Sequence, residues 1–111
     1  MYEYNAKLLT VIDADTMKLE VDLGFKVWMR LTFRLARINA PELYSFEGVA
    51  AKAFVLSQLT NAVAFKVASS RSEKYGRWLC EFLYQTSDRK GVWQNLNNQL
   101  LEAKHAVRYK H

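Results

Sequence analysis

One cysteine, one proline, four glycines and two histidines in 111 residues close off several chemistries at once. A lone Cys80 can form neither an internal disulfide nor a cysteine metal site, which suits a reducing compartment and gives a cytoplasmic expectation. His105 and His111 both stand near the C-terminus with no cysteine beside them, so a zinc site is not expected. No serine, histidine and acid fall into a pattern that suggests a nucleophilic triad, and the scattered glycines form no phosphate-cradling loop. Repeats, low-complexity tracts and Pro/Gly-rich linkers are missing, so residues 1–111 read as a single domain. No stretch approaches the apolar length of a membrane span, and Met1-Tyr2-Glu3-Tyr4 lacks the basic start and apolar run of an export signal. Neither a membrane nor an obligatory protein partner is expected.

What is present is an ordinary globular composition, 50% apolar and 24% charged, with a formal net charge of +5. The length supports one hydrophobic core but not two independent ones. The positive excess attracts polyanions, and nucleic acid is the commonest such partner.

Apolar residues recur with a period of two through the first third of the chain. Residues 2 to 12 read as a first strand, and Asp13 to Asp15 as its tight turn. Met17, Leu19, Val21 and Leu23 then alternate with Lys18, Glu20 and Asp22 as a half-buried strand. Val27, Met29, Leu31, Phe33 and Leu35 share one face of the next, with Trp28, Arg30, Thr32 and Arg34 on the other. Charge takes the apolar parity at Arg37, so a bulge or the strand's end is expected near Ala36.

From Ser45 the period becomes helical, with Ser45 as N-cap, Glu47 in the first turn, and Phe46, Val49, Ala53, Leu56 and Leu59 as the apolar face. Val63-Phe65-Val67 and Trp78-Cys80-Phe82-Tyr84 read as two more strands around a basic loop from Ser69 to Gly76. Val92, Leu96, Leu100 and Ala103 mark a closing helix. Three meandering strands, a helix, two strands and a helix suggest a β-barrel with helices, an α+β fold of the five-stranded Greek-key OB type.

Three clusters carry chemistry. Arg34 to Glu42 ends a strand with guanidiniums and then sets an amide and a carboxylate about Pro41. Asp13-Ala14-Asp15-Thr16 supplies more carboxylates, and Lys74-Tyr75-Gly76-Arg77 a further arginine. Oxygen ligands together with paired cations are what metal-assisted cleavage of a phosphodiester requires. In an antiparallel meander the turn after the first strand and the end of the third lie at one end of the sheet, which brings Asp13 and Asp15 toward Asn39 to Glu42. Arg77 is not placed by this argument, because the pairing of its strand depends on topology.

In the order Asp-x-Asp-Thr, Phe-Arg-Leu, Ala-Pro-Glu and Lys-Tyr-Gly-Arg, the chain resembles the staphylococcal-nuclease or thermonuclease family over nearly its whole length. Val21 to Phe25 and Arg34 to Leu43 look especially like its short bacterial and phage-encoded members. The resemblance implies an OB barrel and calcium-dependent hydrolysis of DNA and RNA, leaving a 3′-phosphate and a 5′-hydroxyl. It further implies that Asp15 and the backbone carbonyl of Ala40 bind the metal, with Asp13 in support, and that Glu42 deprotonates the attacking water. Arg34 and Arg77 are similar to the arginines that hold the scissile phosphate, Lys74 and Tyr75 belong to the nucleic-acid-binding loop, and Tyr109 offers an aromatic surface for a base.

Asn39 departs from the pattern, standing where the best-known members have a second metal-binding aspartate. Its amide oxygen can still ligate, but one negative charge fewer implies weaker calcium binding or a changed metal preference.

Blander readings stand beside these. Asp13 and Asp15 could be turn residues bonded to their own backbone, and Glu42 could merely start a helix. Arg30 and Arg37 read as solvated or phosphate-steering charges, Cys80 as a buried small hydrophobe, and Trp28 and Trp93 as packing residues that could instead stack a base. A catalytically silent OB module binding single-stranded nucleic acid or a protein is the rival function.

Overall fold

Alternating apolar residues pair into the strands that the period of two predicts. The computed structural model describes residues 2–72 and 76–110, with side chains for all of these but 70–72. Its elements are β1 (Tyr2–Asp13), β2 (Thr16–Asp22), β3 (Trp28–Leu35), β4 (Ile38–Asn39), α1 (Phe46–Leu59), β5 (Ala62–Ser72), β6 (Trp78–Thr86), β7 (Gln94–Asn95), α2 (Leu96–Glu102) and β8 (Val107–Arg108). The result is an α+β fold with a six-stranded sheet in the order β3-β2-β1-β5-β6-β7, and β4 and β8 form a separate pair. Neighbours in the large sheet are antiparallel. In addition β6 pairs with β3 in parallel, Phe33 opposite Trp78 and Leu35 opposite Cys80. A Cα radius of gyration of 13.3 Å equals the ~13 Å of one compact domain of this length.

The core lies on the inner face of these strands. Met17, Leu19, Val21, Phe33, Leu35, Val67, Phe82 and Tyr84 are all buried, along with Leu96 and Leu100 of α2. Burial of Cys80 among them pushes its thiol pKa well above the ordinary range, so it packs as a small hydrophobe. Toward the β2–β3 turn the inner face opens, and Leu23, Val27 and Met29 are exposed, as is Val63 at the start of β5. Leu23 falls outside β2, in a turn where Gly24, Phe25 and Lys26 all have positive φ.

The helix α1 begins where its cap predicts. Ser45 is the N-cap, its hydroxyl accepting from the Gly48 N–H at 2.9 Å. The expected apolar face is corrected, however: Phe46, Val49, Ala53 and Leu56 are exposed, and of the expected face only Leu59 is buried, alongside Gly48, Ala51 and Val55. The docked stripe begins with small residues, Gly48 and Ala51, where the Glu42 main chain comes close, and continues with Val55 and Leu59.

In the closing helix Val92 lies before the first turn and is exposed, and Ala103 is the C-cap. Its key residue is polar. Asn97 is fully buried; its Oδ1 accepts from the Phe82 N–H and its Nδ2 donates to the carbonyls of Ala36 and Cys80, each at 3.0 Å. The Phe82 N–H and the Ala36 carbonyl are thereby paired, and the Cys80 carbonyl, which also accepts the Ala36 N–H at 2.8 Å, takes a second bond. Arg37 is exposed, as expected of a solvated charge, and is a structural tie as well. It forks onto both oxygens of Glu81 and donates to Asn98, and the Glu81 hydrogen bond raises its pKa.

Candidate functional site

The β1–β2 turn and the end of β3 meet as the meander geometry predicts. Leu35 N–H donates to the Asp15 carbonyl at 2.8 Å, which fixes the turn against the strand carrying Arg34. Asp15 is buried, 4% exposed. Its Oδ1 accepts from the Thr16 hydroxyl at 3.1 Å and its Oδ2 from the Ala40 N–H at 2.9 Å. The same Oδ2 faces Arg34 Nη1 at 3.3 Å.

Arg34 spans two groups. Its Nη2 donates to Asn39 Oδ1 at 2.7 Å while Nη1 holds Asp15. The C-terminal segment completes this side: β8 pairs with β4, Asn39 opposite Val107, and the Tyr109 N–H donates to the Arg37 carbonyl at 2.9 Å. The Tyr109 ring then lies 5.9 Å from the Arg34 guanidinium carbon, within cation–π range. Asp15, Arg34, Asn39, Ala40 and Tyr109 thus form one constellation at one end of the sheet.

Two expected members are held nearby through the backbone. Glu42 is exposed, and its carbonyl accepts from both the N–H and the hydroxyl of Ser45, at 3.0 and 2.6 Å. That carbonyl lies so close to α1 that a Cβ built on Gly48 would come within 1.7 Å of it. Gly48 is therefore what permits the Glu42 turn to rest on the helix. Gly48→Ala should lower Tm by about 5–15 °C, although helix propensity alone predicts a gain of about 1 kcal/mol; a thermal melt decides the sign.

Arg77 is half-buried. It precedes Trp78, the register partner of Phe33, and stands two positions before Leu79, which pairs with Arg34. With strands ~4.8 Å apart and ~3.3 Å per residue, the α-carbons of Arg34 and Arg77 are roughly 8 Å apart. The parallel β3–β6 pairing supplies the placement that local pattern could not.

Asp13 stands opposite Thr16 at the hairpin's mouth and is partly buried, with no side-chain hydrogen bond or ion pair among the described residues. Lys74, Tyr75 and His111 lie outside the described residues. Sequence reasoning had Thr16 only as part of the Asp-x-Asp-Thr cluster and Ser45 only as a helix cap, and it overlooked Gly48: the Thr16 hydroxyl orients Asp15, while Ser45 and Gly48 seat Glu42, and the Ser-x-x-Gly spacing at the cap was the available signal. His105 stacks on Phe54 with ring centroids 4.8 Å apart.

Oxygen atoms from Asp15 and Asn39 meet on one guanidinium, so both can face a single hard cation. The set is lean, one carboxylate and one amide, and a cation there competes with Arg34 for the same two oxygens. Among the described residues no group of three or more His, Cys, Asp or Glu side chains is placed to hold a metal. No helix is long and apolar enough to cross a membrane. No family model matches the chain, and no curated protein matches it.

Proposed function

We propose that the chain is a small nuclease, a hydrolase cutting the phosphodiester bonds of DNA, RNA or both on an OB-type barrel of the thermonuclease kind. The observation that carries this reading is the convergence of Asp15, Arg34, Asn39 and Ala40 at one end of the sheet, with Glu42 a few residues on and Arg77 just before β6, the strand that pairs with β3. The return pairing of β6 with β3 supports the barrel, since it links the two ends of the five-strand ladder β3-β2-β1-β5-β6.

In this reading Glu42 takes a proton from water, whose oxygen attacks phosphorus. Arg34 and Arg77 hold the non-bridging oxygens as their charge grows. The bond from phosphorus to the 5′ oxygen breaks, and that oxygen leaves with a proton from solvent, giving 3′-phosphate and 5′-hydroxyl ends. Asp15, Asn39 and the Ala40 carbonyl would hold a divalent ion, calcium by the resemblance. Such an ion, once bound, supplies Lewis-acid polarisation of the phosphate.

The rival, a silent OB module binding single-stranded nucleic acid, is favoured by one observation: Arg34 already pairs with Asp15 Oδ2 and donates to Asn39 Oδ1, the oxygens a cation would need. Digestion of denatured plasmid separates the two. The nuclease should degrade it with calcium and stop with excess chelator, at half-maximal calcium in the millimolar rather than micromolar range because one ligand charge is missing. Binding with no degradation under any divalent ion would establish the silent module.

A further inference from the structure

At the end of the sheet away from Asp15 and Arg34 the inner face is left open. Val21 on β2 and Phe33 on β3 are the last buried residues toward this end, and beyond them Leu23 and Met29 are exposed. A hollow of about 390 Å³ lies here between the starts of β1, β3 and β6, floored by Val21 and Phe33 and rimmed by Tyr2, Leu23, Met29 and Trp78. An apolar cavity of only ~150 Å³ is enough to take a benzene ring. Ser69 also reaches the hollow, but its hydroxyl is given to the Leu79 carbonyl at 2.6 Å. The lining therefore suits an apolar side chain better than a polar ligand.

The β2–β3 hairpin sets such a side chain beside the hollow. Its turn is closed by the Leu23 N–H on the Val27 carbonyl at 2.8 Å, and Gly24, Phe25 and Lys26 pass through it with φ of 84°, 53° and 64°. A left-handed backbone is unfavourable for a residue as bulky as Phe25. Its side chain offsets none of that cost within the chain, because Phe25 is 100% exposed. Strain of this kind persists where a functional contact uses it.

Area and charge both point to a second copy of this chain as the occupant. Tyr2, Leu23, Phe25, Val27, Met29 and Trp78 are all exposed at this end. Taking ~150–250 Å² for a large aromatic, the six present roughly 500–700 Å², at the top of what a monomer usually shows as one apolar patch. Two copies would together bury about 1,000–1,400 Å², which spans the lower limit of a specific interface. Asp22 and Lys26 flank the tip with one charge of each sign, so two tips related by a two-fold axis meet without net repulsion, although each chain carries +5.

We infer that this end of the sheet is a homodimer interface, in which Phe25 of each copy seats in the hollow of the other. A two-fold contact requires a patch that is complementary to itself, and a projecting ring beside an apolar hollow meets that requirement. The candidate site lies at the opposite ends of β2 and β3, roughly 20 Å away, so both copies keep it open. The pairing is independent of the nuclease reading and stands or falls without it.

Sedimentation equilibrium of the whole chain from about 1 μM to 1 mM tests this. The wild type should pass from 12.9 kDa to twice that mass, with a dissociation constant at or above the ~μM range because the interface is small. Phe25→Asn removes the ring and suits the left-handed backbone. At low concentration it should melt no lower than the wild type, while its dissociation constant rises at least ~30-fold, the effect of losing a central anchor. Met29→Lys, which sets an ammonium on the rim of the hollow, should weaken the dimer in the same way. Phe46→Ser, which removes the exposed ring of α1, should leave it unchanged. A dimer that survives Phe25→Asn or Met29→Lys, or that Phe46→Ser dissolves, overturns the inference. So does a wild type that stays monomeric to about 1 mM, and flotation of that monomer with phosphatidylcholine vesicles would assign the face to lipid instead.

Discussion

Glu42→Gln is expected to lower turnover by about 10²–10⁴-fold while leaving Tm within about 1 °C of the wild type, since exposed substitutions of this kind usually change stability by less than ~0.5 kcal/mol. The separation follows from how the residue is held. Everything that fixes Glu42 is main chain: its carbonyl takes two hydrogen bonds from Ser45 and rests against Gly48. Its side chain is exposed and has no hydrogen bond or ion pair among the described residues. Glutamine is isosteric and cannot accept a proton from water, so only the chemistry is removed. A Tm drop of several degrees would mean that the carboxylate is structural. Retained digestion by the variant in calcium would mean that Glu42 is not the base.

Gly48→Ala has the complementary signature. It leaves the carboxylate in place and moves the main chain that aims it, so stability and turnover should fall together. Comparing the two variants separates a base that acts directly from a helix that seats it.

Local pattern carried the strands and half of the site. Met17, Leu19 and Val21 alternate cleanly because β2 has one buried face, and the antiparallel meander alone brings Asp15 to Asn39 and Ala40. Where sequence reasoning failed, the missing information was non-local or small. The buried stripe of α1 is Gly48, Ala51, Val55 and Leu59, and a scan for bulky apolar residues finds Phe46, Val49 and Leu56 instead. The stripe is marked at its start by Gly48, where the Glu42 carbonyl leaves no room for a side chain, a constraint that a scan for bulk does not register.

The remaining pieces depend on pairings between distant segments. Arg77 is located by the parallel β3–β6 contact, and Tyr109 by the short β4–β8 pair. Neither two-residue strand has enough length for a period to show. Arg37, read as a solvated or phosphate-steering charge, also ties β6 to α2, and Asn97, which the sequence reading did not single out, satisfies backbone groups beneath the β3–β4 turn. A buried polar strut such as Asn97 has no hydropathy signal of its own, and only the backbone groups it pairs show why it is there.

Arg34→Ala should cost both activity and fold. Loss of a guanidinium that stabilises developing phosphate charge is expected to lower turnover by about 10²–10³-fold. The arginine and its partner have side chains only 14% and 6% exposed, so alanine leaves a carboxylate buried without its counter-charge, a change that typically costs about 3–5 kcal/mol. The Thr16 hydroxyl and the Ala40 N–H still bond Asp15, which places the expected loss at the lower end, about 3 kcal/mol. Arg34→Lys separates the two effects. An ammonium can remain near Asp15 and keep most of the stability, but it lacks the planar fork that reaches Asp15 through Nη1 and Asn39 through Nη2 at once, and it cannot grip a phosphate by two parallel hydrogen bonds. Chemical denaturation and single-turnover digestion should therefore diverge for the lysine variant, with a stability close to wild type and turnover still reduced at least tenfold. Recovery of both would show that Arg34 acts as a point charge, and the pairing of its two donors with two oxygens would then have no part in catalysis.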